Sequence, residues 1–143
     1  MNRETIYVAL LNLLSAATGI KIDSRRIRLW TDVAPTDKPA LFIRQNQDSY
    51  VQSRGVPAKI TLSCDVFIYL NVAKDPNTVP ATALNALLDA VDTAILPDNL
   101  VENVQTLGGL VSHCWIEGST TLDAGEIDGD GIAILPIKIL TNH

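Results

Sequence analysis

Cysteine, histidine and basic charge are scarce in this chain, and each scarcity closes a route. Among 143 residues there are two cysteines, Cys64 and Cys114, too few for a disulfide scaffold. They read as small hydrophobes within strands, and a reducing compartment is their simplest setting. With no C-x-x-C and only His113 and the terminal His143, no tetrahedral zinc set can be assembled. His113 and Cys114 are adjacent in a predicted strand, so their side chains point to opposite faces and form no catalytic dyad. Basic residues number 11 against 16 acidic ones, for a net charge of −5. That balance argues against a nucleic-acid-binding surface, and RRIR at 25–28 is the sole basic cluster. Leu107-Gly108-Gly109 lacks the Lys-Ser/Thr ending of a phosphate loop and precedes a strand rather than a helix. No apolar run approaches the roughly 18 residues of a membrane span. The opening MNRETIYVALLNLL carries Glu4 and no small-residue cleavage site, so it reads as an amphipathic helix and not a secretory signal.

What the chain does have is apolar periodicity. Its hydrophobic content of 47% with 19% charged residues is that of one globular domain spanning 1–143. Ile6, Leu10, Leu13, Leu14 and Ala17 recur at helical spacing over 3–18, with Gly19 as a stop. RRIRLWTDV (25–33) predicts a strand with Ile27 and Leu29 on one face and Arg26, Arg28 and Trp30 on the other. PALFIRQNQ (39–47) predicts a second strand, and the polar stretch 48–57 a loop or protruding hairpin arm. Residues 58–72 place an apolar side chain at every even position, the signature of a long strand with one face on a core. KDPNTVP (74–80) is turn chemistry. Leu84, Leu87, Leu88, Val91 and Ile95 then form a helical stripe opposite Asn85, Asp89 and Asp92. Residues 110–118 and 131–140 predict two more strands, in which Cys114 joins the core with Leu110 and Ile116. Pro136 marks the last strand as an edge strand or a bulge. The resulting order α-β-β-β-α-β-β is an α+β two-layer sandwich, a mixed, mostly antiparallel sheet of about five strands covered by two helices.

EIDGDGI (126–132) resembles the start of a calcium loop, but the twelfth place falls on Ile137 and helices flank neither side. Asp128-Gly129 and Asp130-Gly131 therefore predict tight-turn chemistry leading into the last strand. An irregular calcium site from Asp123, Glu126, Asp128 and Asp130 is the alternative. Charge is also unevenly spread. Residues 1–74 hold ten Lys/Arg against six Asp/Glu, whereas 75–143 hold Lys138 against ten acids. A basic surface on one copy can thus meet an acidic surface on the next.

The helix RETIYVALLNLL, the pair PALFIRQ and KITLSCDVFIYL, the helix ALNALLDAVDTAI and the closing DGDGIAILPIKIL together resemble the tail terminator, or tail completion, proteins of long-tailed bacteriophages. The resemblance runs over nearly the whole chain by order of elements, without a diagnostic motif. It implies a non-enzymatic virion protein, made in the bacterial cytoplasm and located at the head-proximal end of the tail. There it would form a hexameric homo-oligomeric ring, stop polymerisation of the tail tube protein and present a surface to the head–tail connector protein. It implies no cofactor and no membrane, and DNA only in passage through the ring lumen. The residues themselves nominate Arg26, Arg28, Trp30, Tyr50, Arg54, Asp128 and Asp130 for subunit or tail-tube contacts. The alternative function is a small cytoplasmic ligand-binding or calcium-binding module.

Overall fold

The computed structural model describes residues 1–72, 77–125 and 128–142, apart from the side chains of Ala17 and Thr18. The expectations for Ala17, for the turn residues 74–76 and for Glu126 lie outside that description.

Helix α1 (Arg3–Thr18) starts where the Asn2 side chain accepts the Thr5 N–H at 3.1 Å and stops at Gly19, whose φ of 63° few other residues tolerate. After it come β1 (Ile22–Ser24), two 3-10 turns at Trp30–Asp32 and Pro35–Asp37, and β2 (Ala40–Val51). Strand β3 (Lys59–Asn71), helix α2 (Pro80–Ala94), β4 (His113–Ile116), β5 (Thr121–Asp123) and β6 (Asp130–Asn142) complete the fold. Pro80 occupies the first turn of α2, where a missing N–H costs nothing.

The strands form one six-stranded sheet in the order β1-β2-β3-β6-β4, with β5 also pairing β6. Only the β1–β2 pair is parallel. This is the α+β architecture expected from the sequence, with β1 and β5 added and the strand expected at 25–33 missing. The predicted strand over 25–33 does not form. Ile27 and Leu29 supply too little burial to hold an extended segment, and both are exposed. The chain instead turns at 25–29 and doubles back through the 3-10 turns.

One face of the sheet meets both helices. Ile6, Tyr7, Leu10 and Leu14 of α1 and Leu84, Leu87 and Val91 of α2 pack on Ile60, Leu62, Cys64, Val66, Ile68 and Leu70 of β3. Odd-numbered β6 residues, Ala133 to Ile139, continue the same layer. The expected even-position stripe of β3 is therefore the floor of the main core. Cys114 joins it as expected and Ile116 packs against it, but Leu110 is exposed and Val111 is the buried residue instead. β4 begins only at His113, because Leu107, Gly108 and Gly109 adopt positive φ and turn the chain first.

A second, smaller cluster lies on the opposite face. Val33, Ala40, Phe42, Phe67 and Tyr69 are buried there beneath the 30–37 segment, with Phe42 and Tyr69 rings 5.3 Å apart. The Tyr69 hydroxyl donates to the Arg28 carbonyl at 2.6 Å and pins the returning chain.

Pro136 lies in neither an edge strand nor a bulge. β6 is central, paired continuously to β3 from Asp130 to Asn142. Its other side is shared by β4 at 137–140 and β5 at 132–134. The Pro136 carbonyl accepts the Glu117 N–H on that side, so its missing donor falls in the gap between the two short strands.

β2 and β3 stay paired as a hairpin as far as Val51 and Lys59, where β3 is still held by β6 and buries Ile60 and Leu62 in the main core. The 48–51 segment continues β2 through backbone pairing to residues 59–62, closed by a turn in which Gln52 donates to the Ser53 and Val56 carbonyls. One extra residue, Asn46, separates the Gln45–Cys64 pair from the Gln47–Ser63 pair.

Candidate assembly surfaces

The seven residues nominated from the sequence do not converge on one site. Tyr50 and Arg54 sit on the hairpin arm, while Asp128 and Asp130 lie at the other end of the sheet, beyond the Asn71–Asp130 pair. The 13-residue β3 separates these ends by roughly 40 Å at the usual rise per residue.

Each residue has a distinct local situation. Arg26 and Arg28 are exposed in the turn after β1, the Arg26 N–H donating to Ser24 Oγ at 3.0 Å. Trp30 is not on an outward strand face. It packs against the second cluster, and the Lys38 ammonium stands 2.9 Å from its ring centroid. Lys38 itself is buried, and burial lowers its pKa while Asp130 partly offsets the effect. Tyr50 is exposed, yet its hydroxyl accepts from Arg3 of α1, which also pairs with Asp48 at 2.8 Å. The helix thus holds the arm. Arg54 at the arm's tip has no ion pair among the described residues.

The acidic turn is built by its own backbone. Asp123 accepts the Gly125 N–H and Asp128 the Asp130 N–H, each at 2.9 Å, and the Asp130 carboxylate accepts from the Asn71 amide at 2.8 Å. Gly125 and Gly129 take φ of 77° and 81°, and a Cβ at Gly125 would lie 2.8 Å from the Asp130 nitrogen. Asp128-Gly129 thus supplies the expected turn, but Asp130-Gly131 does not: both residues already belong to β6, paired with Asn71 and Leu70, and Gly131 has no positive φ. Among the described residues no group of three His, Cys, Asp or Glu side chains is placed to hold a metal ion.

Nothing in the described residues prepares a nucleophile. Cys114 is buried in the core and burial pushes its thiol up to about 12, so it carries almost no thiolate. Burial drives Cys64 higher still, and Tyr7 up to about 12. His113 turns to the other face and stacks on Trp115, with ring centroids 4.8 Å apart. The surface depressions are shallow. One of about 640 Å³, lined by Ala81, Leu84 and Asn85 of α2, is bordered by Asp123 and Asp128, both already engaged by backbone N–H groups. No described helix is long and apolar enough to cross a membrane.

Sheet order puts β1, β2 and β3 on one side and β6, β4 and β5 on the other, but each set of strands carries a net charge of −1, so the uneven charge of the sequence lies outside the strands. A feature better suited to contacts between proteins was missed by sequence reasoning, the loop between α2 and β4. Asp98 accepts from the Thr106 N–H at 2.6 Å, from the Gly108 N–H at 2.9 Å and from the Thr106 hydroxyl. Burial acts to raise the Asp98 pKa, but these donors outweigh it and hold the carboxyl below its ordinary value. Asn99 and Val104 pair through their backbones, and Gln105 bonds the Leu96 carbonyl. At the tip Leu100 and Val101 stand 82% and 96% exposed. The apolar pair within PDNLVEN was the available signal, since turns seldom display two adjacent aliphatic side chains.

No family model matches the chain, and no curated protein matches it. Among solved structures, the fold is similar to a chain of the "virion of native gene transfer agent (GTA) particle". The TM-score is 0.52 at 15% identity, over 96% of this chain and 92% of that one. At that identity the likeness establishes the shared fold.

Proposed function

We propose that this protein is a non-enzymatic structural component of a virion, one that caps a phage-type tail tube as a homo-oligomeric ring and offers a surface for head attachment. One observation carries the reading: the fold matches a chain of a gene-transfer-agent virion from end to end, leaving almost no part of either chain unaccounted for. The split of charge between residues 1–74 and 75–143 supports it, because a closed ring joins one patch on each subunit to a different patch on its neighbour. The raised thiol pKa values and the self-satisfied acidic turn fit a role without bond chemistry. In this reading 1–143 is one domain with 48–57 as a protruding arm. The tail tube and head–tail connector proteins are its partners, and the head-proximal tail end is its place.

Native mass spectrometry, negative-stain imaging and co-sedimentation with tail tubes test this reading. Rings, or decoration of tube ends, are expected, and hexamers are the expected size. A chain that stays monomeric at high concentration and ignores tail tubes overturns the proposal. A Tm raised by calcium and lowered by chelator would favour a calcium-binding module instead.

A further inference from the structure

We propose that the Leu100–Val101 tip of one copy seats in the groove of the hairpin arm of a second copy, lined by Val51, Val56 and Pro57, with Glu102 facing Arg54 and Lys59 across the rim. The inference rests on the self-assembly proposed above and names the two surfaces that meet. The tip is a fixed projection, because Asn99 Oδ1 accepts the N–H of both Val101 and Glu102 at 3.2 Å and Asp98 locks the base of the loop. Two aliphatic side chains held in water by a rigid loop are preorganised anchors, and their ordering entropy is lost before contact. The groove, about 430 Å³, has room for such a pair and a predominantly apolar lining. Val51 and Val56 are 64% and 53% exposed among the described residues, so more than half of each side chain faces solvent.

Charge selects the pairing. Glu102 follows the apolar tip directly, whereas Lys59 lines the groove, Arg54 follows its lining residue Ser53 in the turn, and neither has an ion pair among the described residues. Asp48, at the start of the 48–57 stretch, is already held by Arg3. The tip belongs to the segment leading into β4, and the groove to the β2–β3 turn, so one chain carries both halves of the contact on different elements. Such a contact is heterologous and propagates from copy to copy.

Mixing a Val101→Cys variant with a Val56→Cys variant under mild oxidation tests the geometry. A covalent dimer containing one of each is expected on a non-reducing gel, and the double variant should give a ladder. The native thiols supply little background, since both are buried. Glu102→Arg and Arg54→Glu should each weaken self-association about five- to tenfold, and their combination should recover most of the loss. Val101→Asp should weaken it at least about tenfold. Oligomers that form normally with no tip-to-groove cross-link overturn this contact while leaving the ring reading standing. Cross-linking of Val101→Cys to itself overturns it in favour of a symmetric contact. A chain that neither associates nor binds tail tubes overturns both.

Discussion

The two faces of the sheet are covered by different means. Against one face lie two regular helices and a continuous layer of aliphatic side chains from α1, α2, β3 and β6. Against the other lies an irregular segment, 25–37, whose contribution is a handful of aromatic and small residues around Phe42 and Tyr69. Regular cover buries every second residue along the whole body. Irregular cover buries only what its few anchors reach and leaves the same face of the arm bare. The helical face therefore supplies most of the buried core, and the second face a smaller cluster.

This contrast has measurable consequences. Ile68→Ala, in the middle of the helical face, should cost about 2–5 kcal/mol in urea denaturation through lost burial and a residual cavity. Tyr69→Phe, one residue along and on the other face, should cost only about 1 kcal/mol by removing the hydroxyl's bond to Arg28. It should also make the 25–37 segment more susceptible to limited proteolysis while α1 stays resistant. If Tyr69→Phe proved as costly as Ile68→Ala, the two faces would be equal partners in stability and the comparison would fail.

Asp98→Ala should cost about 1 kcal/mol and accelerate hydrogen exchange at the Thr106 and Gly108 amides. Because the folded-state pKa of Asp98 is depressed, its contribution is present above the unfolded value, about 3.9, and is lost as pH falls through the folded value. Wild type and variant should therefore converge in stability at low pH. Arg44→Ala, which breaks a half-exposed pair to Asp65 on the bare face, should have the smallest effect, below about 1 kcal/mol and reduced by salt.

The fold was readable wherever burial imposed a period. Helix α1 followed from Leu10 and Leu14 with Gly19 behind them, β3 from its even-numbered stripe, and α2 from Leu84, Leu87 and Val91. Periodicity failed where burial comes from few residues or from backbone alone. The 25–33 segment alternates in print, but Ile27 and Leu29 face water, and the anchors that fix its path are Trp30, Val33 and a hydroxyl from β3. β5 has three exposed residues held by pairing to β6, and no side-chain pattern marks it. The 48–51 continuation of β2 is likewise a matter of hydrogen bonding to 59–62. The candidate surfaces were legible only as separate residues. Tyr50 and Arg54 lie in and beside the β2–β3 turn, but nothing linear revealed their distance from Asp128 and Asp130. Leu100 and Val101 were marked only by an apolar pair inside turn-forming PDNLVEN, a signal that does not give their degree of exposure.

The extra residue Asn46 acts as a phase inverter within β2. Upstream of it the odd-numbered residues Leu41 and Ile43 look toward the helices, and downstream the even-numbered Asp48 and Tyr50 do. A ladder that paired Asn46 like any other residue would turn Asp48 and Tyr50 to the bare face and give Arg3 Gln47 and Ser49 to meet instead. The helix's hold on the arm is thus set by counting: a residue left out of the ladder decides which of its neighbours α1 can reach.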